Sequence, residues 1–160
     1  MTRRVLMAVV AALLCASCTQ PEPAPVAIVG HAEKFDPQAD PGQQVTAAIS
    51  MAGQTKRRIM LDVGGEWCVW CHTLDRFIDD HPDLSAAIAR DFVWVKINFS
   101  PENPNKVFLD RYPSIPGYPH LFVLSDAGEL LHSQDTSELE EGRSYNLEKM
   151  RTFLAKWAPR

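Results

Sequence analysis

Apolar positions along this chain change their spacing several times, and each change marks an element. The first is an unbroken apolar run, Val5 to Leu14, behind Arg3 and Arg4. Such a run is too short to span a bilayer. A brief positive segment, an apolar stretch and small residues at Ala16 and Ser17 make a secretory signal instead. Pro21, Pro23 and Pro25 then alternate with other residues, a density that favours extended polyproline II and predicts a stiff spacer. Val26 to Val29 reads as a short strand or as the end of that spacer.

Beyond Asp40 the spacing switches between helical and strand periods. Asp40 caps a helix with Val45, Ala48, Ile49 and Ala52 on one face, ending near Gly53. Arg58 to Val63 is a strand broken by Gly64 and Gly65. A helix from about Cys68 to Asp80 carries Trp70, Leu74, Phe77 and Ile78 on one side; Pro82 stops it, and Leu84 to Ala89 adds another turn or two. Phe92 to Phe99 is rich in β-branched and aromatic residues and reads as a strand, and Asn105 to Tyr112 as a short helix. Leu121 to Leu124 and Glu129 to His132 form a hairpin about Asp126-Ala127-Gly128. Leu147, Met150, Phe153, Leu154 and Trp157 give the face of a last helix, and Trp94 and Trp157 read as core. Alternation in the first half predicts parallel strands joined by crossovers, with the hairpin as an antiparallel edge. The fold class is α/β, with residues 1–17 as signal, 18–39 as spacer and 40–160 as one domain.

Composition narrows this picture. A chain of 160 residues that is 46% hydrophobic and 22% charged suits one globular domain and excludes intrinsic disorder. Its formal charge is −4 with no basic block, which excludes nucleic acid as a partner. Losing Arg3 and Arg4 with the signal leaves 14 basic side chains against 20 acidic, a net charge near −6.

The four cysteines split two and two. Cys15 and Cys18 end the signal, so Cys68 and Cys71 are the only thiols in the body of the chain. They lie at a strand end and a helix start, where unpaired amides and the helix dipole favour an anion. Cys68 is placed to attack a disulfide as thiolate, and Cys71, one turn deeper, to resolve the mixed disulfide. Three other readings compete. A structural disulfide here closes a loop worth only about 2 kcal/mol. A zinc site needs four ligands, which His72 and His81 do not complete. Cys68-Val69-Trp70-Cys71-His72 also matches the c-type haem attachment pattern, which keeps an exported haem-binding electron carrier open.

Two resemblances extend the reading. Leu14-Cys15-Ala16-Ser17-Cys18 resembles the lipobox of bacterial lipoproteins, with Cys15 standing where leucine is usual. It implies lipidation at Cys18, a membrane anchor and a location on the periplasmic side; Thr19, which is not Asp, implies the outer membrane. Leu61-Asp62-Val63-Gly64-Gly65-Glu66-Trp67-Cys68-Val69-Trp70-Cys71 resembles the thioredoxin superfamily. Within it, the similarity is greatest to the periplasmic C-terminal domains of thiol:disulfide interchange proteins, which share Trp-Cys-Val-x-Cys. Asp62 matches the family's buried acid, and Lys96 in Val95-Lys96-Ile97-Asn98 the lysine near it. Tyr118-Pro119 matches the cis-proline, and Gly128-Glu129 the hairpin turn.

The resemblance spans residues 40 to 158 and implies a thioredoxin-like fold, a central mixed β-sheet flanked by helices. It implies a thiol:disulfide oxidoreductase in which Cys68 attacks, Cys71 resolves, Asp62 takes the proton and Lys96 tunes Asp62. Trp67, Val69, Trp70, Tyr118 and Pro119 would meet the substrate. No cofactor is implied beyond the redox-active Cys68–Cys71 disulfide. The implied partners are disulfide-containing exported proteins and an inner-membrane thiol electron donor. Trp70 in place of the family's usual proline, and His72 after the second cysteine, bear on potential and partner choice. Strong oxidants of the family carry a histidine between the cysteines; uncharged Val69 and Trp70 point to a reductant. A thioredoxin-like binding module with little turnover is the remaining alternative, and Glu66 and His72 read as solvated rim residues.

Overall fold

Strands β1 (Arg58–Gly64), β2 (Phe92–Asn98) and β3 (His120–Leu124) are buried almost without interruption, as their continuous apolar runs require of strands covered on both faces. With β4 (Leu130–Asp135) they form one mixed sheet in the order β2-β1-β3-β4. β1 and β2 are parallel, with Asp62 opposite Lys96. β3 runs antiparallel to both β1 and β4, with Asp62 opposite Leu121. The computed structural model describes residues 34–160. The signal, Cys18 and Val26–Val29 lie outside the described residues.

Helices cover both faces. On one, Ala48 and Ala52 of α1 (Pro41–Thr55) and Phe108 of α4 (Lys106–Leu109) pack on Leu61, Val95 and Phe122. On the other, α2 (Val69–Asp79), α3 (Pro82–Asp91) and α5 (Leu147–Trp157) bring Leu74, Ile88 and Phe153 onto Met60, Trp94 and Val123. Asp40 caps α1, accepting from the Gln43 N–H at 3.0 Å. Pro82 separates α2 from α3 because it suits the first position of the new helix but not the interior of the old one.

Several boundaries differ from the sequence reading: α4 is shorter than the expected Asn105–Tyr112, and β4 runs past His132 to Asp135. α1 passes through Gly53 and closes at Lys56, which takes a left-handed φ of 58°. Residues beyond β4, which carry too short a pattern to read, form a 3-10 turn (Thr136–Leu139) and a two-stranded ribbon, β5 (Glu140–Glu141) and β6 (Ser144–Tyr145). The spacer was expected to reach residue 39, but Phe35 is buried and the Pro37 carbonyl accepts from Asn103 Nδ2 at 2.8 Å. Residues 35–39 therefore belong to the folded unit, held by contacts far away in the chain.

His120, next to the cis-proline, is buried with Nε2 2.8 Å from Ser133 Oγ and Nδ1 unpartnered among the described residues. Burial holds its pKa below 6.5, outweighing nearby Asp135. The unfolded chain then binds a proton the native state resists. The stability is present in full above the unfolded value of 6.5 and is lost as pH falls through the lower native value. In urea titrations from pH 7.5 to 5 the parent should lose stability relative to His120→Gln as pH falls, every other titrating group being common to both proteins; a difference that does not change with pH would mean that His120 is not the group responsible.

Candidate active site

The backbone at the end of β1 is built for close approach. A Cβ at Gly64 would lie 2.5 Å from Cys71 Sγ and 3.0 Å from Phe35 Cζ; at Gly65 it would lie 2.7 Å from the Phe99 carbonyl oxygen. Only glycine lets the strand reach the sulfurs and Phe99 together. Gly64→Ala should therefore displace Cys71 or Phe35 and destabilise the fold by about 1–3 kcal/mol. Denaturant unfolding of the oxidised protein checks this; a variant as stable as its parent contradicts the packing.

The loop then turns into α2. The Cys68 N–H bonds the Gly65 carbonyl at 2.9 Å, and Cys68 is the N-cap of the helix, its Sγ accepting from the Cys71 N–H at 3.1 Å. Cys68 and Cys71 form a disulfide with Cα atoms 5.2 Å apart. A sulfur at the N-cap faces the unpaired amides of the first turn, where negative charge is favoured. Cys68 keeps only 3% of its surface exposed and Cys71 1%.

Around the disulfide runs an apolar rim. Val69 and Trp67 are among the most exposed large hydrophobic side chains. Trp67 donates Nε1–H to the Phe99 carbonyl at 2.7 Å and meets Tyr118 edge-on at 5.6 Å; Phe99 and Tyr118 stack at 4.7 Å. Tyr118-Pro119 is a cis peptide bond, as the resemblance implied, and the Pro119 carbonyl accepts from Thr136 Oγ1. Trp70 is half-buried and meets Tyr145 of the ribbon edge-on at 5.8 Å, so the unread segment braces the helix turn that carries the cysteines.

On the α2 face of β1 sits a buried charge cluster. Asp62 is 1% exposed; its Oδ2 accepts from Trp94 Nε1 at 3.3 Å and lies 3.7 Å from Lys96 Nζ. Oδ1 has no hydrogen-bond partner among the described residues. Burial pushes the Asp62 pKa up to about 6, opposed by Lys96 and reinforced by Asp75. Lys96 is closer to Asp75, at 2.6 and 2.7 Å, than to Asp62. Asp62 and Gly64 share a face of β1, their Cα atoms roughly 7 Å apart along the strand, so Asp62 projects on the same side of the sheet as the Cys71 sulfur that packs on Gly64.

The sequence-predicted residues Asp62, Trp67, Cys68, Val69, Trp70, Cys71, Lys96, Tyr118 and Pro119 thus lie in or around one site. Two assignments change. Glu66 is exposed but not merely solvated, because its Oε1 accepts the Phe35 N–H at 2.9 Å. His72 is tied by Nε2 to the Glu66 carbonyl at 2.9 Å. Sequence reasoning missed Asp75 and Phe35. Asp75 carried a signal, since it lies four residues after Cys71 and hence on the same side of α2. Phe35 carried none, being 31 residues from its partner Glu66.

Sheet order, redox disulfide at a helix start and cis-proline together define a thioredoxin-like oxidoreductase fold. The chain belongs to the thioredoxin-like family, whose sequence profile matches residues 40–125. Among solved structures it is similar to a disulphide isomerase from Xylella fastidiosa Temecula1, at 27% identity and a TM-score of 0.66, covering 76% of this chain and 94% of that one. It is also similar to the C-terminal domain of Neisseria meningitidis DsbD in the oxidised form, at 18% identity and a TM-score of 0.54, covering 80% and 100%. No curated protein sequence matches the chain.

Proposed function

We propose that this protein is an exported thiol:disulfide oxidoreductase that reduces disulfides in other exported polypeptides. The observation that carries the reading is the Cys68–Cys71 disulfide at the N-cap of α2, with the buried Asp62 carboxyl on the adjacent face. In the reduced protein the Cys68 thiolate attacks one sulfur of a partner disulfide and expels the other as thiolate. The Cys71 thiol gives up its proton to Asp62, directly or through water, and its sulfur attacks Cys68. The second partner sulfur leaves, and the Cys68–Cys71 disulfide is restored. Two electrons pass to the partner, and a thiol donor must return them. The dithiol carries these electrons itself, so no further cofactor is needed.

Tyr118 and Pro119 supply backbone for an extended partner segment, with Trp67, Val69 and Trp70 giving apolar contact. The similarity to the Xylella protein described as a disulphide isomerase supports thiol–disulfide exchange as the chemistry. Residues 14–18 support a lipid anchor at Cys18 on the periplasmic side; a reductant in that oxidising compartment needs an electron donor, which we take to be an inner-membrane thiol protein. A c-type haem would need both sulfurs as thioethers and an imidazole on iron. Here the thioredoxin-like family match, and His72 Nε2 turned to the Glu66 carbonyl, favour dithiol chemistry.

Insulin reduction by the full chain, with dithiothreitol as donor, tests the reading. Turbidity should rise well ahead of the uncatalysed reaction. Binding of partners without turnover would favour a non-catalytic module, and a Soret band surviving acid–acetone extraction would favour the haem carrier.

A further inference from the structure

Phe35 lies immediately beyond the spacer, yet it is buried at 2% exposure in a cluster with Cys68 and Cys71. Lys96 Nζ stands 4.3 Å from its ring centroid, a geometry that attracts an ammonium to the π face. Its ring edge and Cys71 Sγ both abut Gly64, where a Cβ would strike each. Two side chains pin its segment: Glu66 from the active-site loop to the Phe35 N–H, and Asn103 to the Pro37 carbonyl. A single ring thus touches the disulfide, caps the buried ammonium and is tied to the loop carrying Cys68.

We propose that Phe35 is a positioning residue for the redox site: its ring fixes Lys96 between Asp62 and Asp75 and shuts water out of that cluster. The inference rests on the reading of Asp62 as the proton acceptor, and it deepens that reading. Facing Asp62 are Lys96 and Trp94 from β2, Asp75 from α2 and, at longer range, Tyr145 from β6. Burial is the largest influence on Asp62, larger than the attraction of Lys96. Admitting water therefore moves the carboxyl toward its ordinary range, even though water also screens the lysine. A mobile Lys96 would in addition serve Asp62 and Asp75 unequally from moment to moment, broadening the titration.

Carbon-13 titration of the Asp62 carboxyl in the oxidised full chain reads this directly, because the cysteines do not titrate in that state. The parent should show an inflection near 6. Phe35→Ala should lower it by about one pH unit, and Phe35→Leu, which keeps an apolar plug, by clearly less. A role confined to stability would lower the unfolding midpoint in both variants and leave the inflection in place. A folded Phe35→Ala with the parent inflection overturns the proposal, as does a Phe35→Leu shift equal to that of Ala. Should Phe35→Ala fail to fold, Phe35→Val replaces it under the same criterion. Insulin reduction is scored separately, so an inactive parent whose Asp62 inflection still moves with Phe35 defeats the proposed function and not this inference.

Discussion

Cys68→Ser is expected to reduce insulin reduction to the uncatalysed rate, a loss of at least about 10³-fold, while Cys71→Ser accumulates partners covalently bound through Cys68. The asymmetry follows from where each sulfur sits. Cys68 is the N-cap, receives the Cys71 amide and keeps the little exposed surface the pair retains. Cys71 lies one turn deeper, against Gly64 and Phe35, where a partner cannot reach it first. Removing Cys71 leaves the first exchange intact and deletes the second, so the mixed disulfide has no internal exit. Non-reducing electrophoresis followed by mass spectrometry should show adducts in Cys71→Ser, their loss on adding dithiothreitol, and none in Cys68→Ser. Adducts in Cys68→Ser instead would reverse the two roles. Turnover retained in both variants would defeat the dithiol mechanism.

Much of this site was legible because its chemistry is local. Cys68, Cys71 and the glycines before them fall within one strand–loop–helix passage, and spacing alone places the sulfurs at a helix start. The strands were legible for a similar reason: two covered faces give continuous apolar runs, which Arg58–Gly64 and Phe92–Asn98 show almost without break. The polar cluster was only half legible. Asp62 and Lys96 were legible through the family resemblance and not through the apolar pattern, and the structure's parallel register sets them opposite one another. Asp75 reads as an ordinary polar position on an amphipathic helix, and only the packing of α2 on the sheet reveals it as the nearer partner of Lys96. The ribbon at 140–145 was missed because two-residue strands have no period, and Phe35 because a single aromatic in a proline-rich context carries no pattern. What escaped is what depends on contacts between distant segments.

The second large effect concerns Asp62. Asp62→Asn should slow the release of the mixed disulfide by about 10²-fold at pH 7, within the range of losing a general base, and abolish an inflection near 6 in the pH profile of that step. The same substitution should stabilise the fold at neutral pH. The native pKa is raised from 3.8 to about 6, so the folded protein holds this proton more tightly than the unfolded chain does. The stability linked to it is present in full below 3.8 and is lost as pH rises through 6. By neutral pH the charged form costs about 3 kcal/mol, which the asparagine avoids. Substitution does not strand a buried cation, because Lys96 retains Asp75 at 2.6 Å. The informative quantity is the stability difference between variant and parent, measured in urea at several pH values from 4 to 8. His120 acts with the opposite sign over part of that window, but it is present in both proteins and cancels from the difference. A difference that grows as pH rises from 4 to above 6 is the signature of a carboxyl kept protonated by burial. A flat difference would mean that Asp62 is already ionised in the native state at pH 4, and the proton acceptor for Cys71 would have to be sought elsewhere in the cluster.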